Sequence, residues 1–189
     1  MNVYDFDKTI YKKDSSVQFY LYVIKKKPGI FFKCIIHQLK GILLYKMGGI
    51  TKEQMKEMYF IFLKYIDAKV MIPDFVEKEV KNINEWYYAK RQEDDVIISA
   101  SPEFIVKKFA KKINVKNVIA SNVDVESGKF DGENCYGEEK VKRFKAIYKD
   151  GNINEFYTDS FSDFPMAEMA SKAFLVKNEK VQDFIHRRK

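Results

Sequence analysis

The strongest constraint on the fold is an alternation that begins after Arg91. Apolar runs of strand length, DVIISA, NVIASN, NEFYTDS and KAFLVK, are separated by segments with helical spacing. Those segments are PEFIVKKFAKKI, EEKVKRFKAIYK and DFPMAEMAS. Strands alternating with helices imply a mostly parallel α/β sheet with helices on both faces, because parallel neighbours need a crossover between them. VDVESGKFDG reads as a hairpin turning at Ser127-Gly128, and the tail after Lys177 as a last helix. Ser101 reads as an N-cap, with Pro102 at the first position of its helix.

A short strand over residues 2–6 opens the chain, and from Asp14 to Arg91 the pattern is helical throughout. One helix, SSVQFYLYVIKKK, stops at Pro28-Gly29; a second, IFFKCIIHQLKGILLYKM, stops at Gly48-Gly49. Thr51 and Gln54 are spaced as a capping box for KEQMKEMYFIFLKYI, and a fourth helix is expected from about Pro73 to Arg91. The expected organisation is an α/β core of residues 1–13 and 92–189, with residues 14–91 inserted as a helical cap.

Charge is unevenly spread. Residues 12–64 hold 11 Lys against 3 Asp or Glu, whereas the whole chain carries a net +7. Such a segment suits phosphates or an anionic membrane, or is simply a set of solvated helix faces. No nucleic-acid-binding motif accompanies it. No apolar run reaches membrane-spanning length, since Lys33, His37, Lys40 and Lys46 interrupt the greasiest stretch. Within it, Phe31, Phe32, Ile35, Ile36, Leu39, Ile42 and Leu43 form either a membrane-facing stripe or the core of the insert. His37 reads as structural. Two isolated cysteines, Cys34 and Cys135, match neither a metal spacing nor a disulfide framework. With a first strand that starts at once and no signal peptide before it, they point to the cytoplasm.

In an open parallel sheet, ligands gather beyond the carboxyl ends of the strands. The first strand ends in Asp5 and Asp7, DVII in Ser99 and EFYT in Asp159, while Lys140 lies in the first turn of its helix. Taken singly, each has a plainer reading. Asp-x-Asp is often a turn, Ser99 a strand-end hydroxyl, Lys140 a solvated charge and Asp163 the N-cap before Pro165. Together, three carboxylates, a hydroxyl and a lysine converge on one edge if the strands are neighbours. Adjacent carboxylates repel unless a cation or proton holds them, and oxygen donors at a reachable edge suit magnesium. One carboxylate could then attack phosphorus while a second, partly protonated, serves the leaving oxygen.

DFDKT, the serine of IISAS, the lysine of GEEK and DSFSD occur in an order that resembles the haloacid-dehalogenase superfamily of phosphohydrolases. The resemblance spans essentially the whole chain. The long insert after the first motif places it near the phosphoserine-phosphatase-like branch. The resemblance implies a Rossmann-like core under a helical-bundle cap, and a magnesium-dependent phosphatase working through an aspartyl-phosphate. It implies Asp5 as nucleophile and magnesium ligand. Asp7 becomes general acid/base, with its carbonyl on the metal. Ser99 and Lys140 hold the phosphoryl group, Asp159 ligates magnesium, and Asp163 supports the metal site or Lys140. Ser101 and Asp14 are further candidates for contact with substrate. Phosphoserine-specific relatives follow the second-motif serine with glycines and carry a cap arginine. Here Ala100-Ser101 follow Ser99, and residues 12–90 contain no arginine. The expected substrate is therefore another small phosphorylated metabolite. The alternatives are a phospholipid headgroup met at the membrane surface and a non-catalytic phosphate-binding module.

Overall fold

The computed structural model describes residues 1–149 and 151–185. Six strands form one sheet: β1 (Asn2–Tyr4), β2 (Val96–Pro102), β3 (Asn117–Ser121), β4 (Ile153–Thr158), β5 (Ala170–Lys177) and β6 (Lys180–Asp183). Their order is β3-β2-β1-β4-β5-β6, with β1 to β5 parallel and β6 antiparallel at the edge. The mostly parallel α/β sheet is thus as the alternation predicts. β1 is only three residues long, yet it is paired on both sides, Val3 with Val96 of β2 and with Phe156 of β4. Chain order reverses around β1, which makes the edge beyond β1 and β4 the switch point of the sheet.

The side-chain alternation of β1 feeds two cores. Tyr4 packs into a large cluster with Phe6, Phe19, Phe75 and Phe109, while Val3 joins Val96, Ile98, Phe144 and Phe156 on the opposite face. Helix α6 (Glu103–Lys112) supplies Phe109 to the first cluster, and α7 (Glu138–Ile147) supplies Phe144 to the second. The short α8 (Phe164–Ala167) lies on the α7 side.

The insert between β1 and β2 holds α1 (Ser15–Lys26), α2 (Gly29–Lys46), α3 (Lys52–Tyr59), α4 (Ala68–Glu79) and α5 (Glu85–Lys90). Thr51 and Gln54 form the expected capping box of α3. The segment expected to continue as one helix turns to 3-10 geometry over Phe60–Tyr65. The expected fourth helix is also corrected. It begins at Ala68, where the Asp67 carboxylate accepts from Val70 N at 3.2 Å, and it carries Pro73 inside. It ends at Glu79. Ile83 is extended, and the Asn84 amide donates to Thr9 O at 2.6 Å, tying the insert back to the loop after β1.

Three further expectations are revised. The tail after Lys177 is not helical where described: Asn178 and Glu179, at φ 49° and 66°, form a two-residue turn into β6. The remainder of that expected helix, residues 186–189, lies outside the described residues. The expected hairpin reduces to a single bridge, Val123 to Phe130, although its turn does fall at Gly128. His37 is exposed rather than packed. Cys34 and Cys135 are buried free thiols. Among the described residues no helix is long and apolar enough to cross a membrane.

Candidate active site

Asp5 follows β1 directly, and its amide donates to Tyr157 O of β4 at 2.8 Å, fixing the carboxylate at the switch point. Lys140 enters from the first turn of α7. It is 1% exposed, so its charge survives only by pairing. Its ammonium donates to Asp5 Oδ1 at 2.8 Å and to Asp163 Oδ2 at 2.8 Å. Thr158 Oγ1, at the end of β4, donates to the same Asp163 oxygen at 2.7 Å. Asp163 does stand at the N-cap of the helix with Pro165, but its side chain makes no capping bond and is turned inward to Lys140. The second oxygen of Asp5 accepts from the Thr9 hydroxyl, at 3.4 Å.

Asp7 is held from two sides. Ser15 N donates to Oδ1 at 2.8 Å, and Ser101 Oγ donates to Oδ2. The expected capping role of Ser101 is thus wrong. A register shift in β2 between Ser99 and Pro102 carries the strand through Ser101, leaving Pro102 at the N-cap without a side-chain bond. The same irregularity lets Ser101 N donate to Ser99 Oγ at 3.1 Å. Asp14 caps α1 by accepting from Val17 N at 3.0 Å and still borders the site.

These groups line one cavity of about 310 Å³: Asp5, Asp7, Asp14, Ser99, Ser101, Lys140, Asp159 and Asp163 all border it. Every candidate drawn from the sequence is therefore present. The cavity is also bordered by residues outside that set, among them Lys8, Lys52, Lys56, Tyr136 and Ser162. Lys52 and Lys56, one helical turn apart on α3, reach the cavity from the insert, and Tyr136 lies beneath Lys52, whose Nζ sits 3.3 Å from the ring centroid. Lys56 donates to Ala100 O and to Asn134 Oδ1, each at 2.9 Å. The i,i+4 lysine pair is visible in the sequence, but its direction depends on how α3 packs.

Electrostatics follow from burial. Burial pushes Asp5 up to about 7 against the pull of Lys140, with Asp163 and Asp159 adding to the rise. Burial and then the Asp14 charge push Asp7 up to about 6, while hydrogen bonds from Ser101 and Ser15 restrain it. Burial also raises Asp159, partly offset by Lys8 and Lys177. Desolvation works against the charge on Lys140, yet Asp5 and Asp163 hold its ammonium above the ordinary lysine range. Burial and then Lys52 bring Lys56 down to about 8. The carboxylates thus surround the buried Lys140 ammonium, and Lys52 and Lys56 add cations from the insert.

These carboxylates fit a hard divalent cation. Asp163 Oδ1 is buried without a hydrogen-bond partner, and Asp5 and Asp159 border the same space. No group of three such side chains among the described residues forms a ready-made cage.

Several known proteins are similar to this chain in sequence or fold. The "Probable phosphatase Rv3661" of Mycobacterium tuberculosis is 34% identical over 94 residues, 46% of this chain and 33% of that protein's length. The match thus spans about a third of the curated relative. A protein of unknown function from Bordetella pertussis Tohama I has a similar structure, with a TM-score of 0.73 at 18% identity over 92% of this chain and 87% of that one. A phosphoserine phosphatase solved as a phospho-aspartyl intermediate analogue has a TM-score of 0.56 at 18% identity, covering 90% of this chain and 83% of its own. A family model of haloacid dehalogenase-like hydrolases matches residues 3–168. With that match running from β1 through the fourth motif and into α8, the chain belongs to the haloacid dehalogenase-like hydrolase family.

Proposed function

We propose that this protein is a magnesium-dependent phosphomonoester phosphatase acting on a small phosphorylated metabolite through Asp5. The observation that carries this reading is the meeting of Asp5, Asp7, Ser99, Lys140 and Asp159 around one cavity at the switch point. The phosphoserine phosphatase captured as a phospho-aspartyl analogue lends support through its shared fold. Asp5, Asp159 and the backbone carbonyl of Asp7 would hold magnesium, with Asp163 supporting Lys140 or the metal's waters. The ion would neutralise phosphate charge and so let an anionic oxygen approach.

Lys140 pins one oxygen of Asp5 and leaves the other to attack phosphorus. An acyl-phosphate bond forms as the ester P–O bond breaks. Asp7 gives its proton to the departing oxygen, and its raised pKa keeps that proton available near pH 6. Asp7 then takes a proton from water as the water attacks phosphorus, freeing inorganic phosphate and restoring Asp5. Ser99 and Lys140 steady the phosphoryl oxygens. Residues 14–91 act as the cap over the core of residues 1–13 and 92–189, and exclude water during attack.

Lys52 and Lys56 set the substrate class. They add cations to the cavity from the insert, so the preferred metabolite carries another anionic group beside its phosphate. A lysine presents a point charge rather than the fork of an arginine, so charge is read more than shape. Phosphate release from metabolites with and without a second anion tests this. Lys56→Met should raise KM for the doubly anionic compounds and leave the singly anionic ones nearly unchanged; equal effects on both would contradict the assignment. A phospholipid headgroup is the second reading, favoured by the exposed apolar face of α2. Release of phosphate from any compound would eliminate the non-catalytic module.

A further inference from the structure

Helix α2 is buried on one face and carries an exposed apolar stripe on the opposite one. Ile30, Cys34, Gln38 and Gly41 face the protein, and Gly41 lies so close to α3 that a Cβ there would stand 2.9 Å from Met58 Cβ. The opposite stripe is bare: Phe32 is 75% exposed, Ile36 79%, Leu39 56%, Leu43 59% and Met47 72%. At 3.6 residues per turn these five fall within an arc of roughly 80°. They are therefore not the core of the insert, which is built instead from Phe19, Val23, Phe62, Phe75 and their neighbours. A contiguous apolar stripe of this length marks a docking surface.

Charge identifies what docks. Lys33 and Lys40 flank the stripe on one side and Lys46 on the other, all exposed, with Lys25 and Lys27 exposed at the end of the preceding helix. Residues 15–52 contain no Asp or Glu at all. A second copy of the chain is a poor occupant, because pairing this face with itself would set Lys33, Lys40 and Lys46 against their own counterparts with no acid to offset them. An anionic bilayer answers both features, taking up the apolar side chains at the acyl boundary and pairing its headgroups with the lysines. The three lysines in and beside the stripe keep α2 on the surface rather than across it.

We propose that the outer face of α2 docks the protein onto anionic membrane, lying parallel to the surface. This does not depend on the phosphatase reading. The test is co-sedimentation with vesicles of phosphatidylglycerol mixed with phosphatidylcholine, against vesicles of phosphatidylcholine alone. Two variants accompany the native chain: Ile36→Asp with Leu43→Asp, and Lys33, Lys40 and Lys46→Gln. Both alter exposed positions outside the cavity, and circular dichroism checks that each is folded. The native chain should sediment with the anionic vesicles only, and each variant should bind roughly tenfold more weakly or worse. The proposal is overturned if the folded native chain ignores anionic vesicles, or if both variants bind as well as native. It is also overturned if the face instead forms a dimer that Ile36→Asp with Leu43→Asp dissolves while no vesicle is bound.

Discussion

Lys140 Nζ lies 2.8 Å from Asp5 Oδ1, and the same buried ammonium holds Asp163 at 2.8 Å. One cation thus serves two carboxylates that burial and mutual repulsion would otherwise neutralise. Removing one partner of a buried ion pair leaves an uncompensated charge, at a cost of about 3–5 kcal/mol. Lys140→Met should therefore lower the stability at pH 7 by about that much in urea unfolding. Adding Asp163→Asn to it should recover part of the loss, since the two sites share one network. Full additivity of the two changes would contradict the shared role.

The protonation of Asp7 should be tunable in both directions. If Asp7 is the general acid, kcat/KM falls as pH rises through its pKa of about 6. The Asp14 charge raises Asp7, so Asp14→Asn should move the falling limb to lower pH while the asparagine still caps α1. The Ser101 hydrogen bond favours the carboxylate, so Ser101→Ala should move the limb to higher pH. Shifts in the same direction would refute this account of the site.

Asp95 offers a test remote from the chemistry. It is 1% exposed at the start of β2, accepting from Gln92 N at 2.9 Å, and its Oδ1 has no partner. Burial pushes it up to about 6. A raised carboxyl pKa favours the protonated fold, so its stabilising contribution is present below about pH 4 and lost as pH climbs through about 6. Asp95→Asn cannot ionise. It should gain on the native chain between pH 4.5 and pH 7.5, by on the order of 1–2 kcal/mol in urea unfolding. A constant difference across that range would refute the prediction.

Gly128 joins the turn after β3 to the insert. Its φ is +74°, and a Cβ there would lie 2.7 Å from Phe60 Cβ and 2.8 Å from Phe60 O. Both the backbone conformation and the contact exclude a side chain. Gly128→Ala should lower the thermal midpoint, with a loss of roughly 2 kcal/mol or more. An unchanged midpoint would mean that the turn can separate from Phe60 without cost.

The sequence made the sheet legible because each strand is an apolar run bounded by helical periodicity, as in Val96–Ser99 and Asn117–Ser121. The strand-end residues Asp5, Ser99 and Asp159 were legible for the same reason, since strand ends fix positions in space. What stayed hidden was set by packing over long sequence distance. The Ser101 hydroxyl meets Asp7, 94 residues away, only because β2 shifts register. Lys52 and Lys56 reach the cavity only because α3 docks against α2. The turn at Asn178-Glu179 is not legible in the sequence because it lacks the glycine that usually marks such a hairpin. Periodicity also could not decide which face of α2 is covered, as both faces repeat at helical spacing.

The most direct test of the central claim is to compare native chain and Asp5→Asn in magnesium-dependent hydrolysis of p-nitrophenyl phosphate and a panel of phosphorylated metabolites. Peptide mass after an acid quench and digestion at low pH is read on the same samples. The account predicts phosphate release that requires magnesium, falls by about a thousandfold or more in Asp5→Asn, and leaves a phosphate adduct on the peptide containing Asp5 in the native chain alone. Undiminished release by Asp5→Asn, or an adduct on another residue, would contradict it.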